Sequence, residues 1–98
     1  MANAPSQKVS VVIPTWQRGD LLRQCLESLR RQDFSDFRIV LVSNGAGNWV
    51  NEFAQEFECT LVSFPANRGF AAGVNAGIAA TGSPYVALVN DDVELERA

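Results

Sequence analysis

Blocks of apolar residues alternate with polar and glycine-rich segments along the chain, and this pattern predicts four strands and three helices. The predicted strands, all short and largely apolar, are Lys8–Ile13, Phe37–Val42, Cys59–Phe64 and Tyr85–Val89. Between them, apolar residues recur at intervals of three and four, as on one face of a helix. Strands that alternate with helices indicate βαβ units, so we expect an α/β fold whose parallel sheet is covered by helices.

The predicted helices are placed by their capping residues and apolar stripes. The first begins at Asp20 as N-cap and the second at Asn48, because such side chains accept hydrogen bonds from free backbone N–H groups. The third helix consists of small residues, follows a loop and ends at Gly82. The stripe of the first helix is Leu22, Cys25, Leu26 and Leu29, and one face of the third carries Phe70, Val74 and Ile78. We expect the first stripe to cover the sheet.

The fourth predicted strand is an almost uninterrupted apolar run that ends in two adjacent carboxylates, Asp91 and Asp92. Such a run is typical of a strand buried on both faces at the centre of a parallel sheet. Ligands of open α/β sheets bind beyond the carboxyl ends of the strands, where paired Asp residues suit a hard divalent cation with bound phosphate. A turn or a helix cap is the alternative role for this pair, since Asp is common in both.

Gly69, Gly73 and Gly77 recur every four residues and therefore lie on one stripe of the third helix. Each glycine costs about 1 kcal/mol relative to alanine inside a helix, so the stripe needs a reason. Close packing of the helix on the sheet is the structural explanation, above all for Gly77. Gly69 lies near the helix start, where free backbone N–H groups and the helix dipole favour binding of an anion. The spacing differs from GxGxxG, which argues against a dinucleotide-dependent dehydrogenase.

Other loop residues offer ligand contacts. Asn67 and Asn75 flank the glycine-rich turn with amides that donate and accept, although Asn75 suits internal hydrogen bonding. Trp16 and Arg18 follow the first strand and provide a stacking face and a charge that pairs with phosphate. The chain contains no histidine, which excludes serine or cysteine nucleophiles that require an imidazole base.

Composition limits the remaining possibilities. A length of 98 residues suits one domain, and a net charge of −3 with scattered basic residues argues against nucleic acid as a partner. Cys25 and Cys59 lack metal-site spacing and are expected to be buried free thiols in a reducing compartment. Neither a signal peptide nor a membrane span is evident, so we expect a cytoplasmic protein, at most peripheral to the inner face of a membrane.

Four segments in the same order, residues 11–18, 42–45, 67–77 and 88–93, resemble glycosyltransferase family 2, and most closely its rhamnosyltransferase-like branch. Their sequences are VVIPTWQR, VSNG, NRGFAAGVNAG and LVNDDV. The resemblance implies a GT-A fold of three α/β/α layers, whose Rossmann-like amino-terminal half binds a nucleotide-diphosphate sugar. It also implies metal-assisted transfer of the sugar, with inversion, to a glycan or lipid-linked acceptor in cell-surface polysaccharide biosynthesis.

The resemblance also implies a set of site residues. The implied nucleotide-binding residues are Pro14, Thr15, Arg18, Asn44, Asn67, Gly69, Asn90 and Asp91. Among these, Asn44 would lie near the base and Asp91 near the ribose, while Asp92 would bind Mg²⁺ or Mn²⁺ on the diphosphate of a UDP- or dTDP-sugar. Two positions depart from the family pattern: Ser43 replaces the usual Asp that recognises the base, and Gln17 replaces an Asn.

The catalytic base is expected beyond Ala98, because family members supply it from the second half of the domain, and Glu94 and Glu96 are interpreted as surface residues. We therefore expect residues 1–98 to be a donor-binding half, truncated after the metal motif and inactive alone. A non-catalytic module that binds a nucleotide-sugar or a protein is the alternative. Nucleotidyltransfer is less favoured, because no Gly/Lys-rich phosphate loop follows the first strand. The apolar edge of the fourth strand is expected to promote self-association.

Overall fold

The computed structural model describes residues 9–17, 19–32 and 36–92, and strands alternate with helices throughout. The elements are β1 (Val9–Thr15), α1 (Gly19–Arg30), β2 (Phe37–Asn44), α2 (Trp49–Glu56), β3 (Thr60–Phe64), α3 (Phe70–Ala79) and β4 (Tyr85–Leu88). All pairs of neighbouring strands are parallel, in the order β3-β2-β1-β4. The predicted α/β fold with a parallel sheet is therefore confirmed.

Among the described strands, β4 lies at the edge of the sheet, as the expected apolar edge requires, although its apolar run is typical of a central strand. Among the described strands it pairs with β1 alone, and Tyr85 and Leu88 remain 67% and 46% exposed. The interior positions belong to β1 and β2, whose central residues are fully buried. An apolar sequence shows that a strand can be buried on both faces. Its position in the sheet depends instead on how the helices and loops connect the strands.

Helices cover both faces of the sheet. Alternate residues of β1 point to opposite faces, so Val11 and Ile13 pack with α1 and α2 while Val12 belongs to the opposite cluster. On that opposite face, a Cβ atom built on Gly77 of α3 would lie 2.4 Å from Cγ1 of Val12 and 3.1 Å from Cγ2 of Val42. Close packing of α3 on the sheet therefore explains Gly77, as the sequence predicted.

Both interior strands extend further than predicted. The first predicted strand ends at Ile13, whereas β1 continues through Pro14, which lies opposite Val42. The carbonyl of Val12 accepts a hydrogen bond from the backbone N–H of Val89, so the backbone of Val12 faces β4. The backbone of Pro14, two residues later, faces the same side. Because β4 has already ended there, the missing N–H of Pro14 is tolerated. Ser43, assigned to the following loop from the sequence, pairs with Thr15 inside β2.

The helix ends also differ from the prediction. Helix α1 begins at Gly19, so Asp20 lies in the first turn and is not the N-cap. Asn48 does precede α2, but its side chain makes no capping hydrogen bond. Helix α3 ends with Ala80 as its C-cap, and Gly82 lies beyond it. The predicted stripe of α1 is confirmed, because Leu22, Cys25, Leu26 and Leu29 are all buried.

The two helices on one face are joined by an exposed ion pair, in which Arg23 donates to Glu56 at 2.9 Å. Both cysteines are free thiols, with Cys25 buried and Cys59 partly buried. Over the described residues, no helix combines the length and the apolar character needed to cross a membrane.

Candidate functional site

A cleft of about 270 Å³ opens beyond the carboxyl ends of β1, β2 and β4. Parallel strands bring their carboxyl ends to one edge of the sheet, so the loops that follow them meet there. The cleft is lined by Pro14, Thr15, Trp16, Asn44, Asn67, Phe70, Asn90, Asp91 and Asp92. Seven of the nine site residues implied by the resemblance are in this list; Gly69 adjoins the cleft through its contact with Asn44, and Arg18 lies outside the described residues.

One wall of the cleft carries the two carboxylates after β4. The Thr15 hydroxyl, at the end of β1, donates to Oδ2 of Asp91 at 2.9 Å. Behind the wall, Sγ of Cys25 on α1 lies 3.8 Å from the carbonyl oxygen of Asn90. Asp91 is partly buried while Asp92 is exposed, so the second carboxylate is the more accessible to a ligand.

The opposite wall is the turn that leads into α3, and Asn44 fixes it. The side-chain oxygen of Asn44 accepts from the backbone N–H of Arg68 at 2.9 Å, and Nδ2 donates to the carbonyl of Gly69 at 2.9 Å. The N–H of Gly69, which the sequence suggested for an anion, instead donates to Oδ1 of Asn67 at 2.7 Å. Asn44 is only 5% exposed, so its amide mainly supports the turn and has little surface for a ligand.

A glycine after β2 lets the two loops approach each other. Gly45 has a φ of +77°, and a Cβ atom at this position would lie 2.4 Å from the backbone nitrogen of Asn67. Any other residue would be strained in this conformation and would push the turn at Asn67 away from β2. Gly45 therefore shapes the cleft without offering a side chain to it.

Two exposed aromatic side chains, Trp16 and Phe70, complete the lining of the cleft. They are 49% and 58% exposed, which is unusual for large apolar groups and leaves their surfaces available to a ring-shaped ligand. The sequence identified Trp16 as a stacking residue. It assigned Phe70 only to a helix face, although its position directly after Gly69, the N-cap of α3, is the signal that could have placed it at the cleft.

Several other candidate residues lie away from the ligand-facing surface. Asn75 is exposed on α3 and does not line the cleft. Arg68 places its guanidinium over the ring of Phe64, 4.6 Å from the ring centroid. Ser43 is buried at 3% exposure, next to Thr15 in the sheet register. The position at which the resemblance implies a base-recognising carboxylate therefore carries a small buried hydroxyl.

The described residues contain no cluster of three or more His, Cys, Asp or Glu side chains that could enclose a metal ion. Asp91 and Asp92 supply carboxylate oxygens only, the hard ligands that Mg²⁺ and Mn²⁺ prefer. Mg²⁺ is commonly bound by one or two carboxylates together with substrate phosphates. The donor set therefore fits a cation shared with a bound diphosphate and does not fit a dedicated structural metal site.

The thiol below the carboxylate wall is kept neutral. Burial, with smaller contributions from the charges of Asp91 and Asp92, raises the pKa of Cys25 to about 11. A nucleophilic or metal-binding cysteine needs a thiolate, which this environment opposes. Cys25 therefore serves as a packing residue beneath the cleft.

Residues 10–98 match the family model for glycosyl transferase family 2. Among curated proteins, the uncharacterized glycosyltransferase EpsJ of Bacillus subtilis is 31% identical over 88 residues, which cover 86% of this chain and 26% of that protein. The matched region covers between 14% and 33% of the length of these curated relatives.

Two solved structures share the fold. Residues 1–349 of S. aureus TarS, in complex with UDP-GlcNAc, have a TM-score of 0.79 at 22% identity and cover 87% of this chain and 26% of that chain. The mannosyltransferase PcManGT from Pyrobaculum calidifontis, in complex with GDP-Man and Mn²⁺, has a TM-score of 0.80 at 20% identity and covers 89% of this chain and 28% of that chain. The fold is thus that of GT-A glycosyltransferases, as the sequence predicted.

Proposed function

The chain belongs to glycosyl transferase family 2, and on that premise we propose that it carries the donor site of an inverting, metal-assisted glycosyltransferase. The observation that carries the proposal is the cleft itself, where the ends of three parallel strands assemble two carboxylates, amides and exposed aromatic rings. A nucleotide-diphosphate sugar presents the matching groups, namely a ring, hydroxyls and a charged diphosphate. The proposed donor is a UDP- or dTDP-sugar, and a hexosyl- or rhamnosyltransferase is the proposed enzyme class.

In this proposal each wall of the cleft contacts a different part of the donor. The aromatic faces of Trp16 and Phe70 border the base, and Asn67 offers it an amide. Asp91 and Asn90 bind near the ribose and Asp92 binds a divalent cation. Pro14, Thr15, Asn44 and Gly69 form the floor and the turn that support these groups. Arg18 is proposed to pair with phosphate.

The cation would be held by Asp92, with the diphosphate completing its oxygen ligands. When bound, Mg²⁺ or Mn²⁺ supplies positive charge that stabilises the leaving diphosphate. The residues of the chain themselves orient the donor and hold it against the sheet edge. The acceptor is proposed to be a glycan or lipid-linked sugar, used on the cytoplasmic side of a membrane. The structure of PcManGT, which shares the fold, contains GDP-Man and Mn²⁺, and this supports the proposal of a cation at the donor site.

A non-catalytic module that binds a nucleotide-sugar is the second candidate, and Ser43 is the observation that favours it. A buried hydroxyl at this position cannot replace a base-recognising carboxylate. The loss of that carboxylate would leave either candidate with little preference among bases. Transfer or hydrolysis of the sugar of a UDP-sugar in the presence of Mn²⁺, which only an enzyme catalyses, separates the two candidates.

Calorimetric titration tests the proposal. We expect the chain to bind UDP or dTDP more tightly in the presence of Mn²⁺ than in its absence. Asp92→Ala should weaken the Mn²⁺-dependent binding by more than about tenfold, because the cation loses a direct ligand. Asp20→Ala, an exposed residue of the first turn of α1, is the matched control and should bind as the wild type does.

Binding that does not respond to Mn²⁺, or that survives Asp92→Ala unchanged, would remove Asp92 and the cation from the site. Nucleotide binding without any transfer or hydrolysis of a UDP-sugar would favour the second candidate.

A further inference from the structure

Thr15 holds an unusual position at the boundary between the sheet and the cleft. It is the last residue of β1 and is 2% exposed, yet its side chain reaches across to the segment that follows β4. There its hydroxyl donates to Oδ2 of Asp91 at 2.9 Å. The contact joins residues that are 76 positions apart in the sequence.

The backbone hydrogen bonds between β1 and the segment after β4 stop before this point. In the segment that follows β4, the last such hydrogen bond runs from the N–H of Val89 to the carbonyl of Val12. Pro14 is the next β1 residue that faces β4, and proline has no N–H to donate. The Thr15 side chain therefore holds the segment with the carboxylates where the backbone ladder has stopped.

A threonine hydroxyl has one proton to donate, and here the carboxylate of Asp91 receives it. Because Thr15 is almost fully buried, little of its surface remains for a nucleotide. Asp91, in contrast, lines the cleft and has a second carboxylate oxygen that the Thr15 contact leaves free. The effect of Thr15 on a ligand must pass through Asp91.

We propose that Thr15 is a positioning residue, whose hydroxyl fixes the orientation of the Asp91 carboxylate and so presets the carboxylate wall for the nucleotide. This inference rests on the proposed function, because it assumes that Asp91 and Asp92 face a nucleotide-diphosphate sugar. It replaces the direct nucleotide contact implied for Thr15 by the family resemblance with an indirect one. Preset polar groups bind more tightly because they lose less side-chain freedom when the ligand arrives.

Three variants separate this role from a general effect on folding. Thr15→Val keeps the β-branched shape that suits a buried strand position and removes only the hydroxyl. Thr15→Ser keeps the hydroxyl and removes a methyl group. Thr60→Val is the matched control. The Thr60 hydroxyl, at the first residue of β3, also takes part in a side-chain hydrogen bond, but its partner is Arg38 and Thr60 does not line the cleft.

The measurement is calorimetric titration of each folded variant with UDP and Mn²⁺. We expect Thr15→Val to bind about tenfold more weakly, the order of loss that one hydrogen bond to a charged group causes. Thr15→Ser and Thr60→Val should bind within about twofold of the wild type. NMR spectra without nucleotide provide a second readout, in which the Asp91 resonances should move in Thr15→Val and stay in place in Thr15→Ser.

The outcomes distinguish the two proposals. If the wild type binds UDP with Mn²⁺ and Thr15→Val binds equally well, the role of Thr15 is overturned while the proposed function stands. If Thr15→Ser loses as much affinity as Thr15→Val, the hydroxyl is not what matters and the inference is again overturned. If the wild type binds no nucleotide, the proposed function fails, and the positioning role fails with it even where the Asp91 resonances move.

Discussion

At the scale of single residues, the polar side chains around the cleft divide into those that support it and those that face a ligand. Asn44 and Thr15 are 5% and 2% exposed, and their polar groups are used by the turn before α3 and by Asp91. Asp92, Trp16 and Phe70 are exposed at the cleft surface. Buried hydrogen-bonding groups of the first kind are costly to remove, because their partners lose hydrogen bonds that water cannot replace.

The buried thiol of Cys25 predicts how stability depends on pH. Its pKa rises from 9.0 to about 11 on folding, so the unfolded chain releases the proton at lower pH than the folded chain does. The free energy of unfolding should therefore be unaffected by Cys25 below pH 9 and fall as the pH rises from about 9 to about 11. The expected loss from this one group is about 2 kcal/mol at the upper end of the range.

Urea unfolding between pH 7 and 11 measures this loss. Cys25→Ala should lower stability at neutral pH through lost packing but show a shallower fall above pH 9 than the wild type. Burial also raises the pKa of Cys59, and the comparison removes its contribution because both proteins contain it. Parallel pH curves for the two proteins would contradict the prediction.

At the scale of elements, α3 is unusual because its glycine face is buried and part of its apolar face is exposed. Gly73 and Gly77 are buried against the sheet, whereas Phe70 and Ile78 are 58% and 43% exposed. The absence of side chains on the buried face lets the helix approach β1 and β2 closely. The same approach brings the first turn of α3, with Phe70, to the edge of the cleft.

Gly77→Ala should destabilise the fold, although alanine favours a helix by about 1 kcal/mol. The added Cβ atom would meet Val12 and Val42, at 2.4 Å and 3.1 Å from their methyl carbons. Both valines are fully buried and their side chains are stiff, so neither can move aside easily. We expect a net loss of about 1–3 kcal/mol in the free energy of unfolding, measured by urea denaturation.

Gly82→Ala is the control for this substitution. A Cβ atom at Gly82 meets no atom within 4 Å, so the change should be neutral or stabilise by up to about 1 kcal/mol. Equal effects of the two substitutions would show that α3 does not pack against the sheet as described.

At the scale of the whole molecule, we predict that the open edge at β4 promotes self-association. Within the described part of the chain β4 pairs on one side only, and Val86 and Leu88 are 39% and 46% exposed. An apolar edge strand can pair with the same strand of a second copy. Sedimentation velocity should therefore detect a dimer or larger species whose fraction rises with protein concentration.

Val86→Lys should reduce this association severalfold, because a lysine on an edge strand opposes pairing with another edge. Gln55→Lys adds the same charge at an exposed position on α2, which contacts β3 at the opposite edge of the sheet, and should leave the association unchanged. A wild-type chain that stays monomeric at all concentrations would contradict the prediction, as would equal effects of the two lysine variants.

The sequence alone was sufficient for the features that depend on local pattern. Periodicity is a property of neighbouring residues, so the order of the seven elements and the buried stripe of α1 could be predicted. The sequence also predicted a ligand site beyond the carboxyl end of the fourth strand, because ligands of open α/β sheets bind there. Seven of the nine site residues implied by family resemblance do line one cleft.

Only the tertiary structure decided the features that depend on distant residues. The apolar run of β4 was compatible with a central strand, and its edge position follows from its pairing with β1. Likewise, the Thr15 contact with Asp91 and the burial of the Asn44 amide join segments far apart in the chain. Such contacts have no local sequence signal, because each side chain has many possible partners until the packing of the strands and α3 selects one.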